Sequence, residues 1–157
     1  MGLLTDNFFV RALKSDEELI AQLPSKGIYN NVADPDYDML NVDMPYIIVN
    51  NDGGDNTATT KDDEFEGGED RTNISIRIAC RSREELADMS LRVRRTVCSF
   101  ARAALQRVES GETEKGDELC PLEYSFRFSD VAYDMEKPAC TMVLYYDCIV
   151  RNEIFID

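Results

Sequence analysis

Eight carboxylates crowd the segment from Asp52 to Asp70 (Asp52, Asp55, Asp62, Asp63, Glu64, Glu66, Glu69 and Asp70), and Lys61 is the one base among them. Oxygen ligands at this density suit a hard cation such as Ca²⁺ or Mg²⁺, or a carboxylate pair sharing acid–base work. Spacing argues against calcium. With Asp62 opening a calcium loop, Glu64 and Glu66 fall at the third and fifth positions and Gly67 at the sixth, but Asn73 stands at the twelfth. That last position needs a bidentate glutamate. A Mg²⁺-dependent centre on Asp52, Asp55, Asp62 and Asp63 is the enzymatic alternative. It requires rigid placement, whereas Gly53-Gly54 and Gly67-Gly68 read as loosening the segment. The expectation is a solvated hairpin arm with no metal or other cofactor, whose acids Asp62, Asp63, Glu64, Glu66, Glu69 and Asp70 meet a protein surface.

The rest of the chain offers little catalytic apparatus. There is no histidine among the 157 residues, which removes the commonest general base and the commonest metal ligand together. Five cysteines (Cys80, Cys98, Cys120, Cys140 and Cys148) include no Cys-x-x-Cys pair and read as buried free thiols of a reducing compartment. No nucleophile elbow, dinucleotide glycine fingerprint or phosphate loop is present. Asn73-Ile-Ser75 matches a glycosylation sequon but lies in an expected strand. The N-terminus lacks the basic start and small-residue cleavage site of a signal peptide, and Asp6 breaks the myristoylation pattern after Gly2. No apolar run reaches the ~18–20 residues of a membrane span. An enzyme is therefore not expected, nor a membrane protein.

Charge is distributed in blocks. The net charge is −14, yet residues 71–108 hold nine arginines against three acids. So acidic a chain is a poor general nucleic-acid binder. A basic segment inside it points instead to pairing with another protein or a second copy.

Several elements must position these charges. Phe8, Phe9, Ala12 and Leu13, then Leu19, Ile20 and Leu23, predict an N-terminal helical region broken near Lys14, with Ser15 to Glu18 as a capping box. Gly27 to Asn30 reads as extended, Asp34-Pro35-Asp36 as a turn, and Pro45 to Val49 as a strand. Ile74, Ile76, Ile78 and Cys80 alternate with polar or small residues in a half-buried strand, Thr72 to Cys80. Ser82 to Glu85 is a second capping box that opens a long helix. Its apolar stripe is Leu86, Met89, Val93, Val97, Phe100, Ala104 and Val108, with Arg92, Arg95 and Arg102 on the opposite side. A polar loop at 109–121 leads to a strand with Leu122, Tyr124, Phe126 and Phe128 on one face. After a turn near Lys137-Pro138, Thr141 to Val150 is apolar on both faces, and Ile154 to Ile156 reads as its extension or as a tail docking on a neighbour. The sum is one α+β domain over residues 1–157. Its mainly antiparallel sheet has about four to five strands, packed by an N-terminal helix and one long central helix, with long polar loops at 51–71 and 109–121.

In this order the segments resemble the tail terminator (tail completion, head–tail joining) proteins of long-tailed bacteriophages and prophages. The residues that carry the resemblance are Asp16-Glu-Glu-Leu-Ile20, Gly27-Ile-Tyr-Asn30, Ala33-Asp-Pro35 and Met44-Pro-Tyr-Ile-Ile-Val49. The strand Thr72 to Cys80 then runs into a Ser82-capped helix with Val93, Arg94 and Val97. The resemblance implies a non-enzymatic virion assembly protein. Its subunits would form a ring, typically a hexamer, that caps the tail tube, ends tube polymerisation and presents a docking surface to the head connector. Its partners would be copies of itself, the tail tube protein and the head-completion or connector protein, with DNA only passing through the lumen. It would work in the bacterial cytoplasm during assembly and then at the neck of the virion. Arg92, Arg95 and Arg102 are the residues expected to meet a neighbour's acids. Another phage neck or head-completion subunit, or an acidic-loop divalent-metal protein, are the alternatives.

Overall fold

The computed structural model describes residues 2–24, 27–31, 43–56, 67–134 and 139–152. After a 3-10 turn at Gly2–Leu4 come α1 (Thr5–Lys14) and α2 (Glu17–Gln22), then β1 (Ile28–Asn30), β2 (Tyr46–Asn56) and β3 (Glu69–Cys80). The long helix α3 (Arg83–Ser110) follows, then a 3-10 turn at Asp117–Leu119 and strands β4 (Glu123–Phe128), β5 (Ala132–Asp134) and β6 (Ala139–Arg151). The architecture is α+β, as expected. The sheet has six strands in the order β1-β2-β3-β6-β4, and β5 also pairs β6. β1 and β2 run parallel, while every other pair is antiparallel.

Strand periodicity puts the core on one side of this sheet. Ile47 and Val49 of β2, Ile74, Ile76 and Ile78 of β3, and Leu144, Tyr146, Cys148 and Val150 of β6 form one buried cluster with α1 and α3. Alternate residues face the other way, where Tyr46, Ile48 and Ala79 gather in a smaller cluster with Tyr29 and Met44. Thr141 to Val150 is thus a central strand, flanked by β3 on one edge and by β4 and β5 on the other. Its outward residues Thr141, Val143, Tyr145 and Ile149 are half-buried rather than enclosed.

Helix α3 buries Leu86, Met89, Val93, Val97, Ala101 and Ala104 along the predicted stripe. At ~1.5 Å per residue its 28 residues span about 42 Å. Val108, expected in the stripe, is 46% exposed. Ser82 caps the helix by accepting from the Glu85 amide at 3.2 Å, and Gly111 ends it at φ 76°. The N-terminal cap differs from expectation. Asp16, not Ser15, accepts from the Leu19 amide of α2, and the Ser15 hydroxyl donates to the Ala12 carbonyl.

The largest departure concerns the 51–71 segment. β2 continues to Asn56 and β3 begins at Glu69, so both ends of the expected loop are paired strands. The ladder crosses a bulge between Asn51 and Gly54, where Gly53 takes φ 88° and the Asn51 side chain accepts from its amide. Asn56 then knits the two strands. Its side-chain nitrogen donates to the carbonyls of Gly67 and Glu69 and to Asp70, and its oxygen accepts from the Gly67 amide at 2.7 Å. Asn152 after β6 donates to the carbonyls of Gly67 and Gly68. Gly67-Gly68, read as loosening, are held by hydrogen bonds.

Gly54 is indispensable to this pairing, because a Cβ there would lie 1.8 Å from the Arg71 carbonyl oxygen. Gly54→Val is expected to push β2 off β3 at the bulge and cost about 1–3 kcal/mol. Faster amide exchange at Asp55, Asn56 and Arg71, with the α1 and α3 amides unchanged, is the signature. Unaltered exchange there would contradict the close approach.

Candidate functional site: a basic groove and an acidic hairpin

The residues expected to form an interface part into three groups. Arg92 is already engaged inside the chain. Its guanidinium forks onto Asp16 at 2.9 and 2.8 Å and reaches Glu18 at 2.8 Å. Asp16 also accepts from the Thr96 hydroxyl at 2.6 Å. Arg92, followed by these other donors, lowers the Asp16 carboxyl from 3.8 to about 2. Arg92 therefore ties α2 to α3 and is not the exposed cation that helical periodicity implies. The second group, Arg95 and Arg102, is exposed on α3.

The acids form the third group. Asp62, Asp63, Glu64 and Glu66 lie outside the described residues. Glu69 and Asp70 open β3, with Glu69 exposed and Asp70 half-buried beneath the Asn56 amide. Asp52 and Asp55 are exposed on the facing strand β2. The described part of the hairpin, up to Asn56 and from Glu69, consequently carries exposed acids on a paired backbone. Among the described residues no three His, Cys, Asp or Glu side chains stand close enough to hold a metal ion.

Beside α3 the edge strand β4 completes a groove of about 310 Å³. Leu91, Arg94, Arg95 and Cys98 of the helix and Tyr124 and Phe126 of the strand line it. Arg94 lies over the Phe126 ring at 4.4 Å, a cation–π contact. Arg127, on the outward side of the same strand, stacks on Tyr145 at 4.0 Å. Arg94 belonged to the motif resemblance but not to the expected interface. Its signal was its place three residues after Leu91, which puts both on one helical face. Its aromatic partner lies on another element and has no local trace.

Three of the thiols have no nucleophilic setting. Burial pushes Cys80 up to about 12, Cys120 up to about 11 and Cys148 up to about 12, which keeps them protonated and inert near neutrality. All five cysteines are free. Among the described residues no helix is long and apolar enough to cross a membrane. The chain matches no protein-family model and, in sequence, no curated protein.

The 109–121 segment, expected to be a plain polar loop, is pinned at its centre. Asp117 is 2% exposed and accepts from Arg107 at 2.8 and 2.9 Å, from Arg11 at 2.9 Å and from the Glu114 amide at 2.9 Å. Arg107 first, then the Glu114 amide and Arg11, hold this carboxyl well below the usual carboxylate range. Arg11 meanwhile stacks over Phe100 at 4.9 Å and donates to the Lys115 carbonyl. The charged cluster welds the end of α3 to α1. It is an internal brace.

Proposed function

We propose that the chain is a non-enzymatic assembly subunit of a long-tailed phage particle, a tail terminator. In this reading copies close into a ring, hexameric on the tail, that caps the tube, ends its polymerisation and receives the head connector. DNA passes through the lumen, and the subunit moves from the bacterial cytoplasm into the virion neck. One observation carries the reading. Exposed arginines of α3 and exposed acids of the β2–β3 hairpin occupy different surfaces of one subunit. Ring contacts need that division, because each copy must offer its neighbour a surface unlike the one it receives. The order of elements lends further support: N-terminal helices, the Ile28-Tyr29 strand beside Tyr46 to Val49, then a strand leading directly into the Ser82-capped helix.

Electron microscopy of particles produced without this chain tests the proposal. Over-long tubes and heads without tails are expected. Tails of normal length joined to filled heads would refute it, and normal tails beside unattached heads would move the subunit to the head side of the neck.

A further inference from the structure

We infer that the α3–β4 groove is the receptor for a second copy of this chain, which seats residues 52–56 of β2, with Glu69 beside them on β3, there, head to tail. The inference deepens the assembly reading and rests on it in choosing a second copy as occupant. Two properties of the groove define what fits. Its floor is aromatic, from Tyr124 and Phe126, and its rim is cationic, from the exposed Arg94 and Arg95. Leu91 at 43% exposure and Phe128 at 64% extend the apolar surface beside it. Such a surface favours an acidic ligand that also covers apolar area.

Among the described residues the strand that walls the groove has one unpaired edge. β4 pairs with β6 on one side and with no described strand on the other. A row of unpaired backbone groups next to a side-chain groove is the arrangement that accepts an added extended segment. Backbone hydrogen bonds would supply affinity, and the arginines would select for acids.

The same chain carries the complementary surface. Asp52, Asp55 and Glu69 are exposed on the hairpin, and the Asn56 and Asn152 hydrogen bonds hold its backbone in place. A preorganised donor loses less conformational entropy on docking. Within one subunit the two surfaces cannot meet in register, since β6 stands between β3 and β4 in the sheet. The contact is therefore intermolecular and heterologous, and it leaves a free groove and a free hairpin at the ends of any open oligomer.

The test is a dilution series of the ¹⁵N-labelled full chain into the millimolar range, followed by amide shifts. Concentration-dependent shifts are expected at two patches only: Leu91 to Cys98 with Tyr124 to Phe128, and Asp52 to Asn56 with Glu69 to Arg71. Added salt should weaken them. Arg94→Glu/Arg95→Glu is expected to weaken self-association at least about tenfold, as like charges then face each other. Asp55→Lys/Glu69→Lys should do the same, and a mixture of the two variants should associate again. Should loss of the Arg94–Phe126 stack unfold the double variant, Arg95→Glu alone serves, because that side chain is exposed. Absence of shifts at millimolar concentration, shifts at other surfaces, or failure of the mixed variants to associate would each overturn the inference. Its failure is separable from that of the assembly reading. Abnormal particles without self-association at these patches defeat the interface alone, whereas self-association there with normal particles defeats the tail role alone.

Discussion

Asp117→Ala is expected to destabilise the protein by about 2–4 kcal/mol, one of the two largest single-residue effects anticipated. The carboxylate is buried under the end of α3 and is shared by Arg107, Arg11 and the Glu114 amide. Removing a buried anion strands its partners, which costs about 3–5 kcal/mol where they too are buried. Here the side chains of Arg11 and Arg107 retain 32% and 25% exposure, so water can reach them and the cost falls to about 2–4 kcal/mol. Asp117→Asn, which keeps the shape but loses the charge, should fall between wild type and alanine. The pH dependence has a definite sign. A carboxyl whose folded value is lowered stabilises fully above its ordinary value of 3.8 and loses that contribution as pH falls through the folded value. Asp16, lowered to about 2, acts in the same direction. Urea midpoints should thus separate wild type from Asp117→Ala at pH 7 and converge as pH drops below about 4. A gap that stays constant on acidification, or one under about 1 kcal/mol at neutrality, would mean that the brace is dispensable.

The value of Asp117 was hidden in the sequence, and the reason is physical. It is one of several acids in a glycine-punctuated loop, and nothing local separates the one that turns inward from those that stay in water. Its selection depends on Arg11, 106 positions away. The same holds for Arg92. Helical periodicity predicts its angular position, but Asp16 on α2 decides whether that position is solvent or an ion pair. Features written in local period were readable. The alternation of Ile74, Ile76, Ile78 and Cys80, the α3 stripe to Ala104 and the Ser82 cap need only neighbours along the chain.

Between these extremes lie the strand ends. Asn51-Asp-Gly-Gly-Asp-Asn56 has the composition of a turn, since Gly, Asp and Asn are depleted in strands. It is nonetheless a strand because β3 supplies the ladder, Gly53 absorbs the bulge and Asn56 bonds across it. β1 and β5 have three residues each and are too short to show a period. For the interface, Arg95 and Arg102 lie where periodicity put them. Of the acids in the segment, Asp52, Asp55 and Glu69 stand on strands rather than in a loop. Among the described residues these three do not converge as the ligands of one cation must.

Tyr146→Ala is expected to cost about 3–5 kcal/mol and to release one edge of the sheet. Tyr146 sits in the centre of β6 at 2% exposure, with ring centroids of Phe9, Tyr124 and Phe126 at 5.1, 5.1 and 5.2 Å. Those rings belong to α1 and β4, so a single side chain joins the N-terminal helix, the central strand and the edge strand. Burial pushes its phenol well above the ordinary range, so it stays neutral and acts through its ring. Truncation would open a cavity bounded by three aromatic rings, and aromatic pairs add about 0.5–1.5 kcal/mol each beyond area burial. Tyr146→Phe retains the ring and should preserve most of the stability. The consequence also extends to the proposed docking. β4 makes its ladder with β6 alone among the described strands, and its inner side chains rest on Tyr146. Loss of the ring should therefore free the β4 amides to exchange before those of β3, and it should weaken docking at the α3–β4 groove even where the fold survives. If alanine costs under about 1 kcal/mol, or if β4 remains as protected as β3, then the edge is held by its backbone ladder and the aromatic cluster is secondary.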